Sequence, residues 1–254
     1  MPLVRDRSIC LGKVEYSETS QILTLLSRQH GITRVIAKGA HRRTKAGASK
    51  FDGGADLLEV GDAVFSYDPA RDLIPLTEWS LQEGHLELRR NLRAIYLGFY
   101  AAELVGRLIE EHDPHPELFD RLERTLPALA TPRREESFLA FQLDLLRESG
   151  YLAELFRCVG CKANMETTAA CYFSPTRGGV ICRNCEGAFP DRTSLDSRLL
   201  RLLQGILRLP RANGCPQRLP QLTRRQTDPV NRIFAQQIQG TLGRPLRLLR
   251  YVLG

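Results

Sequence analysis

The sequence predicts an α+β protein, in which a small five-stranded β-barrel precedes an all-α domain with an inserted four-cysteine metal site. Three observations lead to this fold class. Short apolar runs with period two fill the first 80 residues, and three- and four-residue apolar spacings replace them afterwards. Two C-x2-C pairs interrupt the helical part. The predicted boundaries are residues 1–80 for the barrel, 81–156 and 190–254 for the two parts of the helical domain, and 157–189 for the metal-binding segment.

The strand assignments depend on apolar runs that are separated by turn residues. A Gly-, Ala- and Arg/Lys-rich tract at 39–54 has no periodicity and predicts a long exposed loop. Five short strands with one long basic loop fit the OB-fold, a five-stranded barrel that binds nucleic acid. An SH3-like barrel gives a similar pattern and stays open as an alternative. The apolar runs lie at 8–16, 20–28, 32–37, 57–67 and 73–79.

Helices are predicted from the apolar spacings that follow Trp79. Asp228–Pro229 has the pattern of an N-cap acid followed by proline at the first helical position, and predicts that a helix starts there. The predicted helices cover 88–111, 117–130, 135–149, 199–207, 228–240 and 246–253.

Basic residues are concentrated in two parts of a chain with a net charge of +7. Residues 28–50 contain seven Lys or Arg and no acid, and residues 192–254 contain twelve arginines against Asp196 and Asp228. Such a distribution predicts polyanion binding, because each neutralised phosphate releases condensed counterions. A solvated Arg-rich surface is the alternative, but it does not explain the missing acids. The candidate nucleic-acid-binding residues are Arg34, Lys38, His41, Arg42, Arg43, Lys45, Lys50, Arg224 and Arg225.

The sequence predicts a cytoplasmic protein that associates with the nucleoid and not with a membrane. No stretch approaches the roughly 20 apolar residues that span a bilayer, and MPLVRDRSIC has no apolar signal-peptide core. In a reducing compartment, the seven cysteines are expected to be thiols or metal ligands instead of disulfides.

The spacing of four cysteines, Cys158, Cys161, Cys182 and Cys185, is that of a zinc site. Each C-x2-C pair directs two thiolates toward one point, and two pairs complete the tetrahedron that Zn²⁺ prefers. An apolar hairpin at 173–180 is expected to return the second pair to the first. An iron–sulfur cluster, a redox dithiol or incidental thiols are the alternatives, although iron–sulfur spacings usually place three cysteines close together.

Four thiolates leave no open coordination position, so the zinc is expected to be structural, with one ion per chain. No P-loop, G-x-S-x-G or H-E-x-x-H motif is present, and we expect no enzymatic activity. His85 and Glu87 match the H-x-E half of a deaminase signature, but the rest does not follow, and His85 is expected on the surface. Cys10, Cys171 and Cys215 are expected to be free thiols, with Cys171 as a possible substitute ligand.

The chain resembles the RecO recombination mediators of bacteria over almost its whole length. The similarity rests on the turn at 16–20, His30–Gly31 leading into Lys38–Gly39, Arg147–Tyr151 before the cysteines, the hairpin at 172–179, and the segment 242–249. One departure is Lys162, where members often have glycine, and it raises the question of the turn geometry after Cys161.

The resemblance implies an N-terminal OB-fold, a helical domain and a four-cysteine zinc site. It also implies binding of single- and double-stranded DNA, strand annealing, and cooperation with RecR to load the recombinase RecA onto DNA coated by single-strand-binding protein. From the residues alone, a zinc-containing RNA-binding or polymerase-associated protein stays an alternative, and annealing of complementary strands would discriminate the two. A zinc hydrolase is disfavoured by the closed thiolate set.

Overall fold

The structure, a computed structural model, describes residues 2–41, 50–51, 54–166, 171–212, 215–216 and 219–253. Contacts divide the chain into two compact units, Met1–Thr131 and Pro132–Gly254. In the part of the chain described here, no helix is both long and apolar enough to cross a membrane.

A closed five-stranded barrel forms the first part of the Met1–Thr131 unit. The strands follow one another around the barrel in the order β1-β2-β3-β5-β4, and β1 pairs with β4 to close it. All neighbouring strands are antiparallel except β3 and β5, which pair in parallel. This confirms the predicted OB-fold barrel. The strands are β1 (Leu3–Ser17), β2 (Ser20–Ser27), β3 (Gly31–Ala37), β4 (Val60–Ser66) and β5 (Ile74–Glu83).

The barrel closes around side chains from alternate strand positions, as period-two patterning requires. Trp79 and Phe65 are fully enclosed, and Phe51, in the connection between β3 and β4, is buried as well. These aromatic rings therefore belong to the core and are not available for base stacking.

Two helices complete the first unit. A 3-10 turn (Leu86–Arg90) leads into α1 (Leu92–Leu108), and α2 (Pro116–Leu129) follows. Asn91 caps α1 by accepting a 3.0 Å hydrogen bond from the backbone N–H of Ala94. Gly98 lets α1 pack closely on Leu58, because a Cβ atom at residue 98 would lie 2.7 Å from Leu58 Cδ1. The barrel and both helices together make up the Met1–Thr131 unit.

His85, expected on the surface, is buried, with only 7% of its side chain exposed. It follows Gly84 in a left-handed conformation (φ 48°), and its backbone N–H donates to Glu83 Oε1 at 2.9 Å. The turn folds the imidazole inward before the 3-10 turn begins, so the expectation of exposure was wrong.

The Pro132–Gly254 unit is mainly helical, with a small three-stranded sheet of order β7-β6-β8. Strands β6 and β7 form the predicted hairpin, and β8 adds a third strand that the sequence pattern did not indicate. The elements are α3 (Arg134–Glu148), β6 (Cys171–Ser174), β7 (Gly179–Cys182), a 3-10 turn (Arg183–Ala188), β8 (Thr193–Leu195), α4 (Ser197–Leu207), β9 (Arg211–Ala212), β10 (Cys215–Pro216), α5 (Arg224–Leu242) and α6 (Leu249–Leu253).

The predicted start of the fifth helix was wrong, because α5 begins before Asp228. Thr223 is the N-cap and forms a capping box with Gln226, whose Oε1 accepts from the Thr223 N–H at 2.9 Å. Pro229 lies inside the helix, and Asp228 pairs with Arg224 at 3.0 Å one turn earlier. The start of α5 is therefore set by the capping box of Thr223 and Gln226 and not by Asp228–Pro229.

Candidate metal centre and nucleic-acid interface

The structure brings the four predicted metal ligands together. The sulfurs of Cys158, Cys161, Cys182 and Cys185 all lie within 4.8 Å of one another, and the Cys161 and Cys182 sulfurs are 3.6 Å apart. Four sulfurs around a tetrahedral Zn²⁺ at about 2.3 Å each would be roughly 3.8 Å apart. The cluster therefore has the dimensions of a four-thiolate site and can bind a metal ion.

The first C-x2-C pair lies in a tight turn. The backbone N–H of Lys162 donates to Cys158 O at 2.9 Å, and the Cys158 N–H donates to Ala163 O at 2.9 Å. Lys162 has φ 64°, the left-handed conformation in which glycine is favoured. The turn thus forms with lysine at this position, at the cost of backbone strain. Gly160 is closely surrounded, since a Cβ there would lie 3.1 Å from Cys185 Sγ.

The sheet carries the second pair to the first. Cys182 ends β7, opposite Cys171 in β6, and its backbone N–H donates to Cys158 Sγ at 3.3 Å. The Val159 N–H donates to Val180 O at 2.9 Å, which joins the first turn to β7. These backbone hydrogen bonds hold the first turn against β7 and position Cys158 and Cys182 independently of any metal–ligand bond.

The electrostatics of the cluster favour a bound cation. Burial opposes ionisation of Cys158, but the backbone N–H groups of Cys182, Cys161 and Gly160 outweigh it and lower the pKa of this thiol to about 6. The neighbouring thiols raise the pKa of Cys185 to about 12. Cys161 has the largest effect and Cys182 the next largest. One thiolate is stabilised by the fold, whereas four together require a positive ion.

Cys171 is not part of the cluster. Its thiol donates to Leu195 O at 3.3 Å, and burial raises its pKa. It belongs to the β6–β8 packing, so this structure places it as a buried thiol and not as a fifth ligand. Cys10 is likewise buried, within the barrel.

The predicted DNA-binding residues of the first unit are exposed where the structure describes them. Arg34 is the one exposed residue of β3, and Lys38 is exposed directly after that strand. His41 is exposed and its Nε2 lies 3.1 Å from Glu15 Oε2, while Lys50 is exposed and its carbonyl accepts from the Trp79 N–H at 2.9 Å. Arg42, Arg43 and Lys45 lie outside the described residues.

Strand register places several of these residues at one end of the barrel. Gln21 of β2 pairs with Glu15 of β1 on one side and with Ala37 of β3 on the other. The β1–β2 turn and Lys38 therefore lie at the same end, and the His41 N–H donates to Thr19 O at 3.4 Å. We call this region, residues 15–19 and 38–41, the hairpin end.

Tyr16 is a residue of the hairpin end that the sequence reasoning did not single out as a contact residue. Its side chain is 65% exposed, next to Val14 at 62%. An exposed tyrosine beside basic residues provides a stacking surface for a base. The signal that could have found it is the β1–β2 turn at 16–20, since the corresponding loop of OB-folds binds oligonucleotides.

Arg224 and Arg225, in the second unit, are exposed in the first turn of α5. Positive charge is unfavourable there, because the helix N-terminus is itself the positive end of the helix dipole. Arg224 is compensated by Asp228, with Nε 3.0 Å from Oδ2. The two arginines and the N-terminal end of α5 are all positive, so this end of the helix would attract an anion.

The barrel, the helical unit and the four-thiol cluster define a class of protein: an OB-fold protein with a C-terminal helical unit that contains a four-cysteine cluster able to bind a metal ion. Two family profiles match this chain, "Recombination protein O N terminal" over residues 1–85 and "Recombination protein O C terminal" over residues 89–250. The chain belongs to the RecO family of DNA repair and recombination proteins.

Individual relatives give the same result, and each is named DNA repair protein RecO. The relative from Anaeromyxobacter sp. (strain Fw109-5) is 33% identical over 71% of this chain and 69% of its own length. The relative from Rhodopirellula baltica is 37% identical over 70% of this chain and 65% of its own length. That from Anaeromyxobacter dehalogenans (strain 2CP-C) is 32% identical, with 82% of both chains covered.

Proposed function

We propose that this protein is a non-catalytic recombination mediator that binds single- and double-stranded DNA at the hairpin end of its barrel and anneals complementary strands. With RecR, it would help load the recombinase RecA onto DNA coated by single-strand-binding protein, in the cytoplasm and at the nucleoid. The observation that carries the DNA-binding step is the register of the barrel, which groups Lys38, His41 and Tyr16 at one end, where the acid-free basic tract 38–50 begins.

Annealing follows from charge neutralisation. Two complementary strands repel each other through their phosphates, and cations on the protein reduce this repulsion without occupying the base edges. The aromatic residues of the barrel core are enclosed, and Tyr16 is the exposed ring at the hairpin end. Most bases are therefore left free to pair, which an annealing protein requires.

We also propose that the metal is a structural Zn²⁺. All four donors are thiolates, which zinc accepts in closed tetrahedral sites, and their spacing fits such a site. Bound zinc would cross-link the turn 158–162 to Cys182, at the end of β7, and to Cys185, in the 3-10 turn that follows. The backbone hydrogen bonds described above orient the sulfurs, so the residues of this chain determine the geometry and the ion stabilises it.

DNA binding is tested by neutralising the exposed cations. Arg34→Gln/Lys38→Gln should lower affinity for single-stranded DNA and reduce the slope of log K against log salt by roughly 1.4, about 0.7 for each lost phosphate contact. Arg42→Glu/Arg43→Glu should reduce affinity further. The matched control is Arg90→Gln, which removes an exposed cation from the 3-10 turn. Equal slopes for all variants would exclude this interface.

Annealing is tested with two fluorescently labelled complementary oligonucleotides, bare or coated with single-strand-binding protein. The wild-type protein should accelerate pairing in both cases, and Arg34→Gln/Lys38→Gln should slow it in proportion to its lost affinity. Addition of RecR should then promote loading of RecA on the coated strand. Preference for RNA with no annealing would instead support an RNA-binding role.

The zinc proposal is tested by metal analysis. Purified protein should contain one zinc per chain, and Cys182→Ser should lose it together with thermal stability of the Pro132–Gly254 unit, because metal-binding energy contributes to folding. Cys10→Ser, which changes a buried thiol of the other unit, is the control for metal content. Full zinc content in Cys182→Ser would remove this residue from the ligand set.

A further inference from the structure

An open groove of about 1000 Å³ lies within the Met1–Thr131 unit. Its walls are the end of β5, the 3-10 turn that follows, the start of β4 and the C-terminal part of α2. It contains none of the hairpin-end residues, nor Arg34 or Lys50. This groove is therefore a separate surface from the DNA interface proposed above.

The groove is acidic, although the chain as a whole is basic. Its lining includes one cation, Arg7, and four carboxylates, Glu59, Glu83, Glu87 and Glu123. Arg7 is already paired with Glu123, at 2.6 Å, and Glu87 is paired with Arg90, which lies outside the groove lining, at 3.0 Å. Glu59 and Glu83 form no ion pair with a Lys or Arg among the residues described here. The groove would repel nucleic acid and attract a cation.

The end of helix α2 adds to this negative potential. Pro127, Ala130 and Thr131 line the groove, and the C-terminal end of a helix carries partial negative charge. Pro127 lies inside α2 and has no N–H, so the carbonyl of Glu123 receives no helical hydrogen bond from it. A backbone acceptor and a carboxylate of the same residue thus lie at the groove wall.

His85 supplies an independent sign that a ligand binds here. Its side chain is 7% exposed, its Nε2 is buried, and in the described residues this nitrogen has no hydrogen-bond partner. Burial lowers the pKa of His85, which favours the neutral imidazole, and the unprotonated ring nitrogen of a neutral imidazole can accept a hydrogen bond. The residue is held at φ 48°, a conformation that costs energy outside glycine. A donor from a ligand would complete its hydrogen bonding.

Apolar surface lies beside the charges. Leu86 is 70% exposed and Leu81 is 41% exposed, and both line the groove. Small inorganic cations would not use these side chains, whereas a peptide would cover them. Charge and apolar surface together match a protein segment that carries Lys or Arg next to a large apolar residue.

We propose that this acidic groove, residues 81–87 with Arg7, Glu59, Glu123 and the end of α2, is a docking site for a basic segment of a partner protein. A Lys or Arg of the segment lies among Glu59, Glu83 and Glu87, and a neighbouring apolar side chain packs on Leu81 and Leu86. Binding at this site leaves the hairpin end free for DNA.

The test uses a fluorescein-labelled peptide of about 15 residues with arginine and leucine at helical spacing, and a second peptide with glutamate in place of arginine. The arginine peptide should bind the full-length protein saturably with one site, and the glutamate peptide should not bind. Glu83→Gln/Glu87→Gln should weaken binding about tenfold, and Leu86→Ser should weaken it by a similar factor. The matched control, Glu110→Gln/Glu117→Gln, removes two exposed carboxylates of the same unit outside the groove.

The location of the bound peptide is checked by NMR. The His85 imidazole resonance, which is assigned by its absence in His85→Gln, should shift as the arginine peptide is added. Equal weakening by the control pair, or an unmoved His85 resonance, would overturn the proposal. So would self-association that Glu83→Gln/Glu87→Gln abolishes, because a second copy of this chain would then be the occupant. Strand annealing by Glu83→Gln/Glu87→Gln should equal that of the wild type, which separates this proposal from the DNA-binding function.

Discussion

Replacing Gly31 with alanine should be among the most damaging small changes in the first unit. Gly31 begins β3 with φ 67°, and a Cβ atom there would lie 2.3 Å from Asp113 O and 2.7 Å from Asp113 N. The left-handed backbone alone costs an alanine about 1 kcal/mol or more. Relieving the clash requires the backbone at Asp113 to move by about 1 Å, since nonbonded heavy atoms approach favourably only to roughly 3.5 Å.

That movement also affects the neighbouring backbone. His112 donates its N–H to Ile32 O at 3.0 Å, and losing this bond adds about 1 kcal/mol. Gly31→Ala should therefore lower the free energy of unfolding of the first unit by about 2 kcal/mol or more, the sum of these two contributions before the cost of moving the Asp113 backbone. The control is Gly106→Ala in helix α1, where no atom lies within 4 Å of the new Cβ and alanine should stabilise by roughly 0.5–1 kcal/mol.

The assay is urea unfolding followed by tryptophan fluorescence. The chain has one tryptophan, Trp79, which is 1% exposed in the barrel core and so reports this unit alone. A loss below about 1 kcal/mol in Gly31→Ala, with an unchanged slope of the transition, would refute the reasoning because the clash is with backbone and not with a movable side chain.

Three further predictions concern the second unit. Lys162→Gly should stabilise the metal-loaded protein by up to about 1 kcal/mol in thermal unfolding, by relieving the left-handed strain, whereas Lys162→Ala should have no such effect; a loss with glycine would contradict this. Burial opposes ionisation of Asp191, but bonds from Thr176 and Ser174 outweigh it and lower its pKa below 3.8. Ionised Asp191 therefore stabilises the folded state above pH 3.8, and this stabilisation is lost as the pH falls through the folded-state pKa. The difference in stability between wild type and Asp191→Asn, measured by circular dichroism, should narrow in acid. A difference that does not change with pH would contradict this prediction. Cys171→Ser should keep the full metal content of the wild type by elemental analysis, and loss of the metal would make this thiol a ligand.

Local patterns in the sequence predicted most helices and strands, because each of these elements is determined by the spacing of residues that are close together in the chain. Apolar alternation indicated the barrel strands, helical spacing indicated α1 to α4, and the two C-x2-C pairs indicated the metal cluster. Barrel closure has no such local signal. The parallel pairing of Val35 with Ile74 joins residues far apart in the chain, and the OB-fold was inferred from the number of strands and the basic loop.

The errors have equally local explanations. The Asp228–Pro229 pair looks like a helix start, but proline is also tolerated within the early part of a helix, and the capping box of Thr223 and Gln226 determines the actual start. The burial of His85 could not be predicted from the sequence. It depends on a left-handed backbone conformation at His85, which is uncommon for residues other than glycine. The acidic groove is assembled from separate strands and helices, so no stretch of sequence contains it.

The net charge of +7 conceals two surfaces of opposite sign on one unit. The acidic surface has no signal in the sequence, because its glutamates are scattered along the chain and acidic residues are common. In the structure, four glutamates line a groove together with the buried His85, whose Nε2 has no hydrogen-bond partner among the described residues, and the exposed cations Arg34 and Lys38 lie outside this groove. Surfaces of opposite sign on one unit would let DNA and a basic peptide bind without competing, since a polyanion and a basic peptide select different sites. Neutralising the glutamates should therefore change partner binding and leave the salt dependence of DNA binding as it is.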